Sequence, residues 1–140
     1  MFDTSAYIAA IRGGVGSPAS ERLQNRLPRT YLASVVSAEL RAGASTEDAR
    51  RAVSHFTLWA RRVGRLVTPS AASWDRAGDV LGQLRAREPG LRSKIPALWN
   101  DLWIALAARQ VGATVVTANA RDFEILRRYL RFDLEITADP

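Results

Sequence analysis

The fold of this chain is decided by the stretch Thr114-Val115-Val116-Thr117-Ala118-Asn119-Ala120-Arg121-Asp122-Phe123. Its first four residues are all β-branched and predict a strand, and its polar residues then lead into a predicted helix over 121–130. A long helical pattern also precedes the strand. A β-branched strand with helices on either side is typical of a parallel sheet covered on both faces.

The same alternation of short strands and longer helices extends outward to both ends of the chain. The predicted strands are 2–3, 31–36, 66–68, 114–117 and an edge strand at 134–136. The predicted helices are 4–11 with Thr4 or Ser5 as its cap, one from Ser17-Pro18 to Pro28, one ending near Gly43, 45–64, 70–88, 96–111 and 121–130. This order predicts an α/β fold with right-handed crossovers between its strands.

Length and composition predict one globular domain over residues 1–140. Hydrophobic residues make up 47% of the chain and charged residues 24%, which is typical of a globular protein. The chain has no cysteine, which excludes disulfides, thiol nucleophiles and cysteine-ligated metals. With His55 as the single histidine, any metal must be bound by oxygen, which selects magnesium, manganese or calcium.

The chain is strongly basic, with a formal charge of +6. Lys94 is the only lysine, so nearly all of the positive charge is arginine, which suits phosphate-rich RNA or DNA or an acidic protein. Arginine-rich codon usage explains the same bias equally well. No segment reaches the roughly 20 apolar residues of a membrane span, and Asp3 stands where a signal peptide has basic residues, so we expect a cytoplasmic protein.

Five polar residues fall where the predicted strands end or helices begin. Asp3 ends the first strand, Glu39 lies on the first turn of the helix after the second strand, and Asn119 and Asp122 follow the fourth. Asp101 lies at the head of the helix that precedes the fourth strand. In parallel sheets, sites form at the carboxyl ends of the strands, so four carboxylates are expected to converge there.

Converging carboxylates repel one another, and this repulsion favours a bound cation. Mg²⁺ prefers oxygen ligands, bridges phosphate oxygens and activates water for attack on phosphorus. An acidic site in a basic protein therefore indicates phosphodiester hydrolysis.

Four motifs around these residues resemble those of PIN domains, and in particular the VapC-type toxins of bacterial toxin–antitoxin pairs. In chain order they are Phe2-Asp3-Thr4-Ser5, Ser37-Ala38-Glu39-Leu40, Asn100-Asp101-Leu102-Trp103-Ile104-Ala105 and Thr117-Ala118-Asn119-Ala120-Arg121-Asp122-Phe123. Each motif alone is weak, but all four occur in the family's order over nearly the whole chain. The resemblance implies a PIN-like three-layer α/β/α sandwich with a central, mainly parallel sheet.

The resemblance also implies an endoribonuclease that depends on Mg²⁺ or Mn²⁺. Asp3 and Asp101 would bind the metal, and Glu39 would bind a second ion or position water. Asn119 stands where many members carry a fourth acid, so either Asn119 or Asp122 completes the catalytic set. Thr4, Ser5 and Thr117 are then expected to orient water or phosphate in the substrate-binding site.

The resemblance implies three partners: RNA as substrate, a cognate antitoxin protein and a second copy of the chain in a homodimer. Four tryptophans exceed what one small core hides, so some are expected to line interfaces. The antitoxin is expected to place a cationic side chain among the acids.

Plainer roles remain open for the same residues. Asp3 and Asp122 are also suited to capping helices, and Glu39 to stabilising a helix dipole. Thr4, Ser5 and Thr117 also suit helix caps. A PIN scaffold that binds RNA or a protein partner without cutting is the alternative function, and Asn119 keeps it open.

Overall fold

The computed structural model describes residues 1–137, so residues 138–140 of the predicted domain lie outside the described part. The helices are α1 (Thr4–Gly13), α2 (Pro18–Arg26), α3 (Ser34–Gly43), α4 (Glu47–Arg62), α5 (Ala71–Arg87), α6 (Ile95–Gln110) and α7 (Ala120–Arg127). The strands are β1 (Leu32–Ala33), β2 (Leu66–Val67), β3 (Val115–Thr117) and β4 (Leu134–Ile136). Short 3-10 turns at Leu27–Arg29 and Pro89–Lys94 lead out of α2 and into α6.

The strands are short and parallel, as the sequence predicts. β1 pairs with β2, with Leu32 opposite Leu66, and β3 pairs with β4, with Val115 opposite Leu134. Phe2 forms a single parallel bridge to Val116 on β3. The predicted first strand is therefore one bridge long, and it brings the N-terminus beside the end of β3.

Helix α6 forms the centre of the core. Its residues from Leu102 to Ala108 are all buried. Ala105 and Ala108 are fully buried, and their small side chains let this face of α6 pack closely. Because α6 contacts both β1 and β3, its polar residues are held beside both strand pairs.

The second strand is shorter than predicted. The sequence predicts a strand over 31–36, but β1 ends at Ala33 and α3 begins at Ser34. Val36 is completely buried from its helical position, so core packing outweighs the strand preference of its β-branched side chain. The earlier helix start moves Glu39 from the predicted first turn to the second turn of α3.

Asp3, and not Thr4 or Ser5, caps α1. The Asp3 Oδ1 accepts a hydrogen bond from the backbone N–H of Ala6 at 3.1 Å. Ser17, Thr46 and Ser70 cap α2, α4 and α5, and each side chain accepts the backbone N–H of the residue three positions later. Asp3 therefore caps a helix, which is the alternative role considered for it above. Its other oxygen, Oδ2, is not used in this cap.

Three of the four tryptophans are substantially exposed. Trp59 is 38%, Trp74 57% and Trp99 36% exposed, whereas Trp103 is buried. Trp74 lies against both Trp99 and Trp103, with ring centroids 6.4 and 4.1 Å away. The expectation that one core does not cover all four is confirmed, and the homodimer stays a prediction. None of the helices within residues 1–137 is long and apolar enough to cross a membrane.

Candidate active site

Asp3 is buried and held by three side-chain and backbone groups. It is 4% exposed. The Ser5 hydroxyl lies 2.8 Å from both carboxylate oxygens, and the Thr117 hydroxyl donates to Oδ2 at 2.6 Å. These donors fix the orientation of the carboxylate at the end of β3.

Thr117 links Asp3, near the N-terminus, to the turn that follows β3. It is the last residue of β3 and 1% exposed, and its hydroxyl oxygen also accepts the backbone N–H of Asn119 at 2.8 Å. Thr117 therefore sets the positions of Asp3 and of the turn into α7. The role of Thr117 in orienting water or phosphate stays a prediction.

Glu39 is held between α1 and α6. The Thr4 hydroxyl donates to its Oε2, and the Asn100 side-chain amide donates to its Oε1 at 2.5 Å. Thr4 and Ser5 each orient an acid here, Glu39 and Asp3 respectively. The contact from Asn100 was missed in the sequence reasoning, although Asn100 directly precedes Asp101.

Asp101 lies in the second turn of α6, which begins at Ile95, and is therefore not at the head of the helix as predicted. Burial, followed in order of size by the negative charges of Asp122, Asp3 and Glu39, raises the pKa of Asp101 to about 7. The other three predicted acids therefore share one electrostatic neighbourhood with Asp101. Its ionised form is unfavourable in this setting without a nearby positive charge.

Asn119 and Asp122 lie at the start of α7, close to Asp101. The Asn119 amide nitrogen lies 3.4 Å from Asp101 Oδ2 and 3.1 Å from Asp122 Oδ2. Asp122 is in the first turn of α7, and Asn119 is the residue before the helix, with no side-chain cap bond. The N–H groups of the Asn119 amide therefore lie between the carboxylates of Asp101 and Asp122.

Lys94 also reaches this side of the site. Its Nζ lies 3.6 Å from Asp122 Oδ1, an oxygen that is buried and accepts no hydrogen bond within the described chain. The sequence reasoning did not place Lys94 in the site. Its one signal in the sequence is that it is the only lysine, seven residues before Asp101.

The predicted convergence of four carboxylates is only partly met. Within residues 1–137, no three acidic or histidine side chains lie close enough together to form a ready-made metal site. The oxygens of Asp3 and Glu39 are instead directed by neighbouring hydroxyl and amide groups. The donor set still fits a hard cation, since all its ligands are oxygens and Asp101 is surrounded by like charge.

An apolar groove opens beside Glu39. It has a volume of about 420 Å³ and runs between α1, α2, α3 and α4. Ile8, Ile11 and Phe56 line it, together with Arg12 and the edge of Glu39. The groove therefore joins an apolar surface to one of the predicted catalytic acids.

Comparisons with known proteins bear on the fold and the family. No curated protein sequence matches the chain. The chain is similar in structure to the crystal structure of VapBC2 from Rickettsia felis bound to a DNA fragment from their promoter, with a TM-score of 0.62 and 23% identity over 98% of this chain and 97% of that chain. This likeness confirms the predicted fold class. The PIN domain family model matches residues 1–129, and the chain therefore belongs to the PIN domain family.

Proposed function

We propose that this chain is a Mg²⁺- or Mn²⁺-dependent endoribonuclease toxin of the VapC type, which hydrolyses RNA phosphodiesters at the acidic site. The observation that carries the proposal is Asp101, whose pKa is raised to about 7 by burial and by Asp122, Asp3 and Glu39. Buried like charge of this kind is typical of a site arranged for a cation and for catalysis. Membership of the PIN family supports the same reading.

Asp3, Glu39 and Asp101 are the residues that would hold the metal. When bound, the ion supplies positive charge at the phosphate and lowers the pKa of a coordinated water. Ser5 and Thr117 orient Asp3, while Thr4 and Asn100 orient Glu39. Pre-arranged ligands of this kind reduce the reorganisation needed when substrate arrives.

Asn119 and Asp122 complete the catalytic set in this proposal. Rotation of the Asn119 amide about its last bond would present its oxygen, in place of its nitrogen, toward Asp101. Asp122 contributes negative charge, being the largest charge effect on the pKa of Asp101. Asn119 brings no charge of its own, so the site favours one metal ion over two.

The remaining surface suits RNA and a protein partner. The net charge of +6 attracts a polyanion, while the acidic site confines cleavage to one place. The similar structure contains VapBC2 on promoter DNA, which supports an antitoxin as partner of this chain. The groove beside Glu39 would accept an apolar antitoxin segment and direct a cationic side chain toward the acids.

The alternative is a PIN scaffold that binds RNA without cutting it, which the uncharged Asn119 favours. Calorimetric titration of the purified chain with Mn²⁺, followed by incubation with RNA in Mg²⁺, Mn²⁺ or EDTA, separates the two. The proposal predicts metal binding and new RNA fragments that EDTA abolishes. RNA binding with no fragments in either metal would favour the scaffold.

A further inference from the structure

We propose that Lys94 is a phosphate-binding residue of the acidic site, donating from Nζ to a non-bridging oxygen of the RNA phosphate that lies next to Asp122. This inference rests on the proposed function and names a residue that the resemblance does not supply. It starts from an electrostatic requirement. A phosphodiester that approaches Asp3, Glu39, Asp101 and Asp122 is repelled by all four, so a fixed cation at the rim strongly favours its entry.

Lys94 occupies the position that this requirement describes. It is the last residue of the turn Pro89–Lys94 and directly precedes α6. Asp101 follows seven residues later, two helical turns along the same face. The side chain of Lys94 is 36% exposed and that of Asp122 20%, so the ammonium lies at the boundary between site and solvent.

The ammonium group is held loosely enough to exchange partners. The 3.6 Å separation from Asp122 Oδ1 is an ion pair but exceeds hydrogen-bond length. An ammonium has three N–H donors, and within the described residues Nζ donates none of them to a protein acceptor. The buried Oδ1 of Asp122, which accepts no hydrogen bond, therefore keeps the ammonium near the rim of the site and leaves the N–H donors of Lys94 for a ligand.

The competing interpretation is that Lys94 only neutralises Asp122 and stabilises α7. The two interpretations differ in what Lys94→Met does once the charge of Asp122 has been removed. If Lys94 only neutralises Asp122, Lys94→Met has no effect on RNA binding in a chain that also carries Asp122→Asn, because no carboxylate is left to neutralise. If Lys94 contacts phosphate, Lys94→Met weakens RNA binding with or without Asp122→Asn.

The test measures binding of a fluorescent single-stranded RNA by anisotropy at several salt concentrations. All variants carry Asp101→Asn, so that no cleavage disturbs the equilibrium. Lys94→Met is expected to weaken binding roughly tenfold and to lower the slope of log affinity against log salt by about 0.7, the value for one lost phosphate contact on a single strand. Lys94→Arg is expected to retain binding, and it shows that the charge rather than the fold is what matters.

Arg109→Met is the matched control. It removes one exposed cation at the far end of α6, about 22 Å along the helix from Lys94, and is expected to leave the salt slope unchanged. An unchanged slope in Lys94→Met, or a loss in Lys94→Met that disappears when the chain also carries Asp122→Asn, would overturn the assignment.

Cleavage by the chain with native Asp101 separates this failure from that of the proposed function. If that chain cuts RNA while Lys94→Met keeps the full salt slope, only the Lys94 assignment fails. If that chain neither binds nor cuts RNA in Mn²⁺, the proposed function fails, and the Lys94 assignment fails with it.

Discussion

At the scale of single residues, Asp101 carries the largest electrostatic strain in the site. Its pKa of about 7 against an ordinary value of 3.8 means that the folded state holds the proton more tightly than the unfolded chain does. Stability is therefore full below about pH 4, falls as the unfolded chain ionises, and levels off above about pH 7. The loss amounts to at most about 4 kcal/mol.

Asp101→Asn is expected to remove this loss in metal-free protein. The variant should melt at a higher temperature than the native chain at pH 8 in EDTA, and the difference should vanish near pH 4. Thermal unfolding across this pH range checks the prediction. A constant difference between the two proteins at every pH would show that like charge at Asp101 is not the cause.

Asn119→Asp is expected to strengthen Mn²⁺ binding, because a carboxylate replaces an amide beside Asp101 and Asp122. Metal-free stability should fall for the same reason. Asn25→Asp, which adds the same charge on an exposed face of α2, is the control. Calorimetric titrations that agree for both variants would place Asn119 outside the ligand shell.

At this scale, acids that the sequence singles out lie near one another in the fold. Acids at strand ends and four ordered motifs singled out Asp3, Glu39 and Asp101, which share one electrostatic neighbourhood. Asn100 and Lys94 were missed because neither follows a strand. Their contacts with Glu39 and Asp122 depend on how α6 lies against α3 and α7, which no local pattern encodes.

At the scale of elements, Thr117 at the end of β3 fixes the positions of Asp3 and of the turn into α7. Its hydroxyl donates to Asp3 and accepts from the backbone of Asn119 in a fully buried setting. Hydrogen bonds to buried charged groups contribute about 1.5–3 kcal/mol, so this one side chain matters for both stability and geometry.

Thr117→Val is expected to reduce stability by about 2 kcal/mol and RNA cleavage by at least roughly tenfold, since Asp3 loses a donor while the side-chain volume is kept. Thr117→Ser restores the hydroxyl and is expected to recover most of the activity. Urea unfolding and cleavage rates measure the two effects. Full activity in Thr117→Val would show that the orientation of Asp3 is unimportant.

The elements themselves were predicted where local signals are strong. The helix starts at Ser17 and Ser70, the long α4 and the strand β3 follow from turn residues and periodicity. The start of α3 was mispredicted because Val35 and Val36 favour strands locally, while burial of Val36 against the core favours the helix. Whether strand preference or core packing determines the conformation of this segment depends on contacts that form only in the folded chain.

At the scale of the whole molecule, the exposed tryptophans predict self-association. Trp74 and Trp99 form a contiguous aromatic surface on α5 and α6 together with buried Trp103. Large aromatic side chains at a surface are typical of protein interfaces. We expect light scattering to show a homodimer and Trp74→Ser to shift it toward monomer. A monomer at every concentration would contradict this.

The initial rates of RNA cleavage by the native chain, Asp101→Asn and Asp75→Asn in Mn²⁺ show whether the acidic site is the catalytic centre. Asp75 is an exposed acid on α5, so Asp75→Asn is a matched loss of charge outside the site. We expect equal rates for the native chain and Asp75→Asn, and a loss of about a hundredfold or more in Asp101→Asn, which corresponds to roughly 3 kcal/mol of lost transition-state stabilisation. Equal rates for all three proteins would contradict it.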